Sequence, residues 1–511
     1  MKKLLLLLFC FSGIYSQNIK EITILHWNDF HARNEPYKVS KKDTATGEQV
    51  YYLVGGAGSM LGYINKFRTP ETLVLNAGDD FQGTPISNFT RGGSQIDLMN
   101  LYNPDAFTVG NHEFDYSQYS LDSVLKFAKF DVLSANVWLN YRNSLLGKPY
   151  VVKEKGGVKF GIIGITLPEL YEVTLPKNVE NVTMLNTDSV IQAGIIELKK
   201  QECDVIVLLS HSGVDADKVY AEKFYADIDI IVGGHSHTPL YKPKRENGVF
   251  IVQAGSYARW LGKLDIKVDV DKDTVLSAYE NLVETVMDST IFDQPAANKV
   301  NDMISEYAPQ LKRVIGKLET DWKPGYNVET NLGQFQADAF MQKTNSDIAF
   351  MNGGGIRKGL YKGDITEGDI WEISPFGNEM FVYNVSGKTL KQMIKNNIMI
   401  RLEKEKGGEG AEILNVSGLS YSYDSKKALD GNTDFLVSCN IGRADVQDDM
   451  VYKIVSNSFI YSQFKKFFGE VDEKVEGNST GLIDRDLIIQ TIEEMKNVNT
   501  VLEKRIVDVS K

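Results

Sequence analysis

Aspartate, asparagine and histidine recur in the first half of the chain at spacings that could gather them around metal ions. The segments are Asp29-x-His31, Gly78-Asp79, Gly110-Asn111-His112-Glu113-Phe114-Asp115, Ser210-His211 and Gly233-Gly234-His235-Ser236-His237. The chain holds only six histidines, and five of them fall in these segments. Imidazole together with carboxylate suits Zn, Mn or Fe, whereas an all-oxygen set would point to Mg or Ca. Four histidines, two aspartates and one asparagine are too many ligands for a single tetrahedral ion. Two divalent ions sharing one carboxylate is the simpler account. Such a pair, about 3.5–4 Å apart, can bind phosphoryl oxygens, activate a water and stabilise an in-line displacement. The sixth histidine, His26, lies inside the run before the first segment and reads as a packed, hydrogen-bonded residue.

Each segment directly follows a short apolar, β-rich run: Ile22–Leu25, Leu73–Leu75, Phe107–Val109, Val205–Leu209 and Ile228–Val232. Val132–Leu133, Phe160–Ile165 and Val249–Val252 are further runs of this kind, often followed by an amphipathic helical stretch. Alternating strands and helices imply an α/β layered domain. A continuous run such as Val205 to Leu209 is what a strand buried on both faces looks like. Open α/β sheets bind ligands beyond the carboxyl ends of their strands, so five distant segments are expected to converge into one site. Asp80 follows Asp79 in extended chain and is expected to point elsewhere, since successive side chains alternate.

A chain of 511 residues exceeds one compact core, and two principal domains are expected. The first spans 20–290. Apolar residues at Val300, Ile304, Tyr307, Leu311 and Val314 have helical spacing, which predicts a connector over 291–324, kinked or ended early by Pro309. A second α/β region spans 325–507, with its own Gly-rich turn at Asn352-Gly353-Gly354-Gly355.

The net charge of −12 argues against a protein that coats long nucleic acids, which needs basic patches. It leaves room for a small phosphorylated substrate, because bound cations and a few arginines supply the positive field locally. Lys2-Lys3 followed by Leu4 to Phe11 and small polar residues up to Ser16 reads as a signal peptide over 1–16. No later run is long and apolar enough to predict a transmembrane anchor, so a secreted or periplasmic protein is expected. Only Cys203 and Cys439 follow that leader, too few for a disulfide framework.

In order and spacing, the five segments resemble the motifs of the calcineurin-like metallophosphoesterases. In the second region, Asn352-Gly353-Gly354-Gly355-Ile356-Arg357 and Pro375-Phe376-Gly377-Asn378 resemble the nucleotide-site motifs of the 5'-nucleotidase branch. The resemblance covers nearly the whole chain after the leader. It implies a layered αββα metallophosphoesterase domain, a helical connector and a C-terminal α/β substrate-binding domain. It further implies that Asp29, His31, Asp79 and His237 hold one metal and that Asp79, Asn111, His211 and His235 hold the other, with Asp79 as the bridge. Glu113, a ligand type by its chemistry, falls outside that set. His112 resembles the family's catalytic histidine, which contacts the phosphoryl group or the leaving oxygen. Asp115 is suited to accept its other ring N–H and fix the tautomer.

For substrate, the resemblance implies a small-molecule nucleotide, with Asn352 and Arg357 as polar contacts and Phe376 stacking on the base. A gap-free count puts Phe467 at the second stacking position, although the family's Gly-Gly-Asp-Gly turn is replaced by Ser462-Gln463-Phe464-Lys465 and its neighbours. The helix over 331–343 resembles the family's up to Asp338 but lacks its downstream arginine. The same metals would serve a 2',3'-cyclic phosphodiesterase, a UDP-sugar hydrolase or a broad phosphomonoesterase. From a different class, a binding protein on the same fold would be expected to have lost ligands, and all seven are present.

Overall fold

The structure is a computed structural model that describes residues 18–44, 46–406 and 412–511. The expected signal peptide over 1–16 lies outside the described residues.

The first half is built on two six-stranded sheets packed face to face. In the first sheet the order is Thr274–Glu284, Trp260–Asp269, Ile19–Trp27, Leu73–Asn76, Ala106–Thr108 and Asp131–Leu133, and the last four strands are parallel. In the second it is Lys244–Glu246, Val249–Val252, Ile230–Gly233, Val205–His211, Val158–Thr166 and Tyr150–Lys155, with a parallel centre and an antiparallel strand at each edge. Alternate residues of both sheets, among them Ile24, Leu75, Ile162, Val207 and Val232, form the dry layer between them. The other residues of the same strands face helices. Ile163, Ile206, Leu208 and Ile231 pack under the helices Thr187–Lys200 and Val214–Phe224. Leu25, Val74 and Phe107 pack under the helices Gly56–Phe67 and Gln294–Tyr307. Burial on both faces explains the unbroken apolar runs, and the architecture is α/β in four layers, αββα.

The antiparallel hairpin Trp260–Asp269 and Thr274–Glu284 carries the first sheet past the stretch where the apolar pattern fades. Its outer strand is largely uncovered, as an edge strand is, with only Val275 and Glu280 buried. His26 is fully buried in the neighbouring strand and its Nε2 lies 3.1 Å from Glu280 of this hairpin.

The expected connector is shorter than its apolar stripe. Asp293 caps the helix by accepting the Ala296 N–H at 2.9 Å, the helix ends at Tyr307, and Pro309 opens a separate short turn. Val300 and Ile304 are buried, but Tyr307 is exposed and Val314 is an exposed residue of the strand Val314–Leu318. Pro309 removes the donor that would continue the helix and clashes with the preceding turn. The helix packs on Gly56–Phe67, where the approach of the Ile291–Asp293 segment to Gly58 and Gly62 leaves no room for a β-carbon.

The second half carries a five-stranded sheet, ordered Leu414–Ser417, Ile348–Asn352, Val451–Asn457, Glu379–Ser386 and Gly477–Ile483. The Asn352 turn and the Pro375–Asn378 segment lie at its rim and face the first half.

Candidate active site

Seven ligand-type residues stand at the carboxyl ends of strands from both sheets. Asp29 and His31 follow Ile19–Trp27, Asp79 follows Leu73–Asn76, and Asn111 follows Ala106–Thr108. His211 ends its own strand, and His235 and His237 follow Ile230–Gly233. Five of them have left-handed backbone: Asp29 at φ 51°, His31 at 50°, Asp79 at 58°, His235 at 72° and His237 at 55°. That conformation costs a non-glycine residue about 1–2 kcal/mol and persists only where its surroundings hold it. Here the loops hold one another. Asp29 N–H donates to Gly78 O at 2.8 Å and His31 N–H to Asp79 O at 2.9 Å. Gly83, at φ +145°, lets its own loop pass so close to the His31 carbonyl that a β-carbon would stand 1.9 Å from it.

The donor atoms collect in adjoining groups: Asp29, His31 and His237; Asp79, His211 and His235; and, between them, His31, Asp79 and His112. His31 Nε2 and His237 Nε2 are 2.9 Å apart, and His237 Nε2 is 3.1 Å from Asp29 Oδ1. His211 Nε2 is 3.0 Å from Asp79 Oδ2, and His235 Nδ1 is 3.0 Å from Asn111 Oδ1.

This arrangement fits two divalent cations. His211 donates Nδ1–H to Ala77 O at 2.6 Å, which leaves Nε2 facing a carboxylate. At their separation of 3.0 Å a positive charge must lie between them, a proton on Nε2 when no ion is bound or a cation in its place. The electrostatics agree. Burial opposes charge on His211, but Asp79 outweighs it and pushes the imidazole up to about 10. Burial likewise opposes charge on Asp79, yet His211 and His112 hold it well below the usual carboxylate range. His235, by contrast, is pushed down to about 4 by burial and by His211, the neutral form in which imidazole ligates. Glycine keeps the space open: a β-carbon on Gly110 would meet Asp79 Oδ1 at 2.2 Å.

His112 Nδ1 lies 2.7 Å from Asp115 Oδ2, and the His112 backbone N–H donates to Asp79 Oδ1 at 2.8 Å. Burial works against charge on His112, but Asp115 and then Asp79 outweigh it and raise its pKa. The ring centroid of Phe376 is 5.8 Å from that of His112, and the Arg357 guanidinium lies 5.8 Å over Phe376 and 3.4 Å from His31 Nε2. Residues from the two halves of the chain thus line one cleft.

Two of the expected substrate contacts stand elsewhere. Phe467 is 4% exposed, buried in the core of the second half and edge-on to Phe459. A ring enclosed there has no face for a base. The short helix Phe464–Phe468, which replaces the glycine turn, rotates it inward. Half-buried Phe459, with Lys466 Nζ 5.6 Å over its ring, is the aromatic nearer the surface. Asn352 is 3% exposed and both ends of its amide are engaged, donating to Glu412 Oε1 at 2.8 Å and accepting from Asn457 at 2.9 Å.

Other residues carry more of the site than their types announced. Glu113 accepts four backbone N–H groups, from Asp79, Asp80, Phe81 and Gly110 at 2.7–3.1 Å, and so folds the Asp79 loop onto the Gly110 loop. Its position beside His112 was the only available signal. Asn28 donates to Asp29 Oδ2 and to Gly255 O, both at 2.6 Å, and accepts from Ala254 N. Asp80 turns away from the cluster and bonds Asn76. Arg33 bridges to Glu372 of the second half.

Residues 22–239 match the calcineurin-like phosphoesterase family, and residues 314–470 match the 5'-nucleotidase C-terminal domain. The solved structure of a 5'-nucleotidase precursor from Thermus thermophilus is similar at 30% identity and a TM-score of 0.84, covering 96% of this chain and 100% of that one. The 5'-nucleotidase of Rattus norvegicus is 29% identical over 95% of this chain and 90% of its own length. An apyrase of Anopheles gambiae is also 29% identical, over 95% of this chain and 90% of its own.

Proposed function

The chain belongs to the 5'-nucleotidase family of metallophosphoesterases, enzymes that hydrolyse phosphoric esters and use two divalent metals, and from that premise we propose that it releases phosphate from nucleoside 5'-monophosphates. The observation that carries this reading is the seating of Phe376 and Arg357, from the second half, over His112 at the metal cluster. Asp29, His31, Asp79 and His237 would hold one ion, and Asp79, Asn111, His211 and His235 the other. When bound, the ions supply charge that polarises phosphoryl oxygens and acidifies a water.

The chain's own residues do the rest. Arg357 presents a planar fork of donors to the phosphoryl oxygens. His112, with Nδ1 turned to Asp115, holds its Nε2 proton toward the phosphoryl or leaving oxygen as charge develops there. Phe376 offers a π-face to the base. Asn352, whose amide is engaged within the protein, shapes the turn that presents Arg357.

None of the described helices is long and apolar enough to cross a membrane. With a leader over 1–16, the reading extends to an exported enzyme. The test is phosphate release by purified protein loaded with Mn or Zn across AMP, UDP-glucose, 2',3'-cyclic AMP and glycerol phosphate, with His112→Ala as control. Metal-dependent release from AMP that His112→Ala abolishes is the expected result. Release confined to another ester would move the assignment to that substrate, and no release from any would overturn it.

A further inference from the structure

The short turn His112–Tyr116 carries more than the His112–Asp115 pair. Its last residue, Tyr116, stacks on Phe81 with ring centroids 6.4 Å apart and donates its hydroxyl to Asn88 Oδ1, with Ser87 Oγ 3.2 Å from the same hydroxyl. Asn88 belongs to the helix Pro85–Thr90, and its Nδ2 donates at 2.6 Å to the carbonyl of Pro375, in the second half. Pro375 directly precedes Phe376, whose ring centroid is 5.8 Å from that of His112. A closed path therefore leaves the His112 turn at Tyr116, crosses between the halves through one amide and returns to His112 through Phe376.

The chemistry of this path fixes which way the amide faces. A backbone carbonyl only accepts, so Nδ2 must face Pro375 and Oδ1 must face Tyr116. Burial holds the Tyr116 hydroxyl protonated far above its ordinary range, so it serves as the donor. Pro375 is buried, and a buried carbonyl needs a donor. From its own half, Arg485 Nη1 stands 3.5 Å from that oxygen and 3.5 Å from Ser374 O, too long for a strong bond to either. The short bond that tethers the Phe376 turn thus comes from the other half of the chain. Phe89, next to Asn88, adds an apolar contact across the same boundary, with its ring centroid 4.9 Å from that of Trp371.

We propose that Asn88, oriented by Tyr116, is a positioning residue that sets the distance between the Phe376 ring and the phosphoryl group held at His112, and so selects nucleotides over simple phosphate esters. The selection rests on the reading of Phe376 as the partner of the base, whereas the tether itself does not. A nucleotide must reach the ring and the metal cluster at once, so its fit depends on their separation, and misplacing a group that positions substrate is costly. An ester without a base makes no use of the ring and loses nothing when the tether is cut.

The test is a set of substitutions in metal-loaded, full-length protein. Asn88→Ala should raise KM for AMP about tenfold, in line with about 1–3 kcal/mol for stacking on a base, and leave kcat and KM for glycerol phosphate in place. Asn88→Asp, which keeps the size but turns an acceptor toward the Pro375 carbonyl, should do the same. Tyr116→Phe, which keeps the ring stacked on Phe81, should give a smaller rise. In a Phe376→Ala background Asn88→Ala should add nothing, because it acts through that ring. Hydrogen exchange of the backbone over 374–378, measured without substrate, should be faster in Asn88→Ala than in the unsubstituted protein. An equal rise for both esters, as general damage to the fold would give, an effect undiminished in Phe376→Ala, or unchanged exchange would each overturn the proposal. AMP hydrolysis by the unsubstituted protein reads the proposed function separately. Turnover of AMP with KM unmoved by Asn88→Ala removes only this inference, and faster exchange over 374–378 without turnover of any ester removes the nucleotidase reading while the tether stands.

Discussion

The Glu113 carboxylate accepts the backbone N–H of Asp79 at 3.0 Å, so the residue proposed to bridge two metals has its own backbone held by a carboxylate outside the proposed ligand set. The same carboxylate takes the N–H groups of Asp80, Phe81 and Gly110. Glu113→Ala would strand these buried donors, and a loss of about 3 kcal/mol or more in stability is expected. Metal affinity should fall about 10- to 100-fold, as when outer partners of metal ligands are removed. Urea unfolding and metal content after dialysis measure the two effects; unchanged metal content would refute the assignment.

His112→Ala should lower turnover about 10²- to 10⁴-fold, the range for a positioned proton donor, with metal content intact. Asp115 and Asp79 raise the His112 pKa against burial. A donor is active below its pKa, so activity should fail as pH rises past it. Asp115→Asn removes the largest supporting charge, and the alkaline limb of kcat should move to lower pH. A limb that stays in place would separate Asp115 from this role.

Glu372 links the halves through Arg33 and Lys358. Burial pushes its carboxyl up, but Lys358 and Arg33 outweigh it and hold the pKa below its ordinary value of 4.5. A carboxylate depressed in the folded state adds stability that is fully present above the unfolded pKa and lost as pH falls through the folded one. Glu372→Gln should therefore cost about 2–3 kcal/mol at pH 7, chiefly by leaving the Arg33 charge unpaired. The gap from the unsubstituted protein should narrow below about pH 4.5, and thermal melts across pH 3–7 test this.

Phe467→Ala and Phe376→Ala should separate core from cleft. The first empties a core position and should cost about 3–5 kcal/mol of stability. The second should raise KM for AMP about tenfold, in line with about 1–3 kcal/mol for stacking on a base, while leaving hydrolysis of glycerol phosphate unchanged. Equal effects on the two substrates would remove Phe376 from base recognition.

Much of this site could be read from strand ends. An apolar run followed by Asp, Asn or His locates a ligand without any knowledge of the loop, because the sheet carries the position. Backbone conformation was not legible in the same way: nothing in Asp29-x-His31 announces two residues at positive φ, since that strain is held by Gly78 and Asp79 from another loop. Glu113 was visible as a carboxylate, but its four donors come from two segments that only the fold brings together. The Trp260–Glu284 hairpin escaped because its outer strand, largely uncovered at the sheet edge, does not resemble the unbroken apolar runs around it. Phe467 was misplaced because residue counting carries no information about a turn that has become helix. Asn352 has the right chemistry for a base, and only its burial against Glu412 and Asn457 shows it engaged.

Each of the two proposed ligand sets draws on both sheets of the first half. His237 joins Asp29 and His31 across the sandwich, and His211 and His235 join Asp79 and Asn111. While the polypeptide is being synthesised, the ribosome will have delivered Asp29, His31, Asp79 and Asn111 long before any of the three remaining histidines exists. Neither proposed set can be completed before the second sheet and its histidines are made, so metal uptake would be a timestamp for closure of the sandwich. A nascent protein stalled before residue 205 should be unable to sequester the ions, however much of its first sheet has already folded.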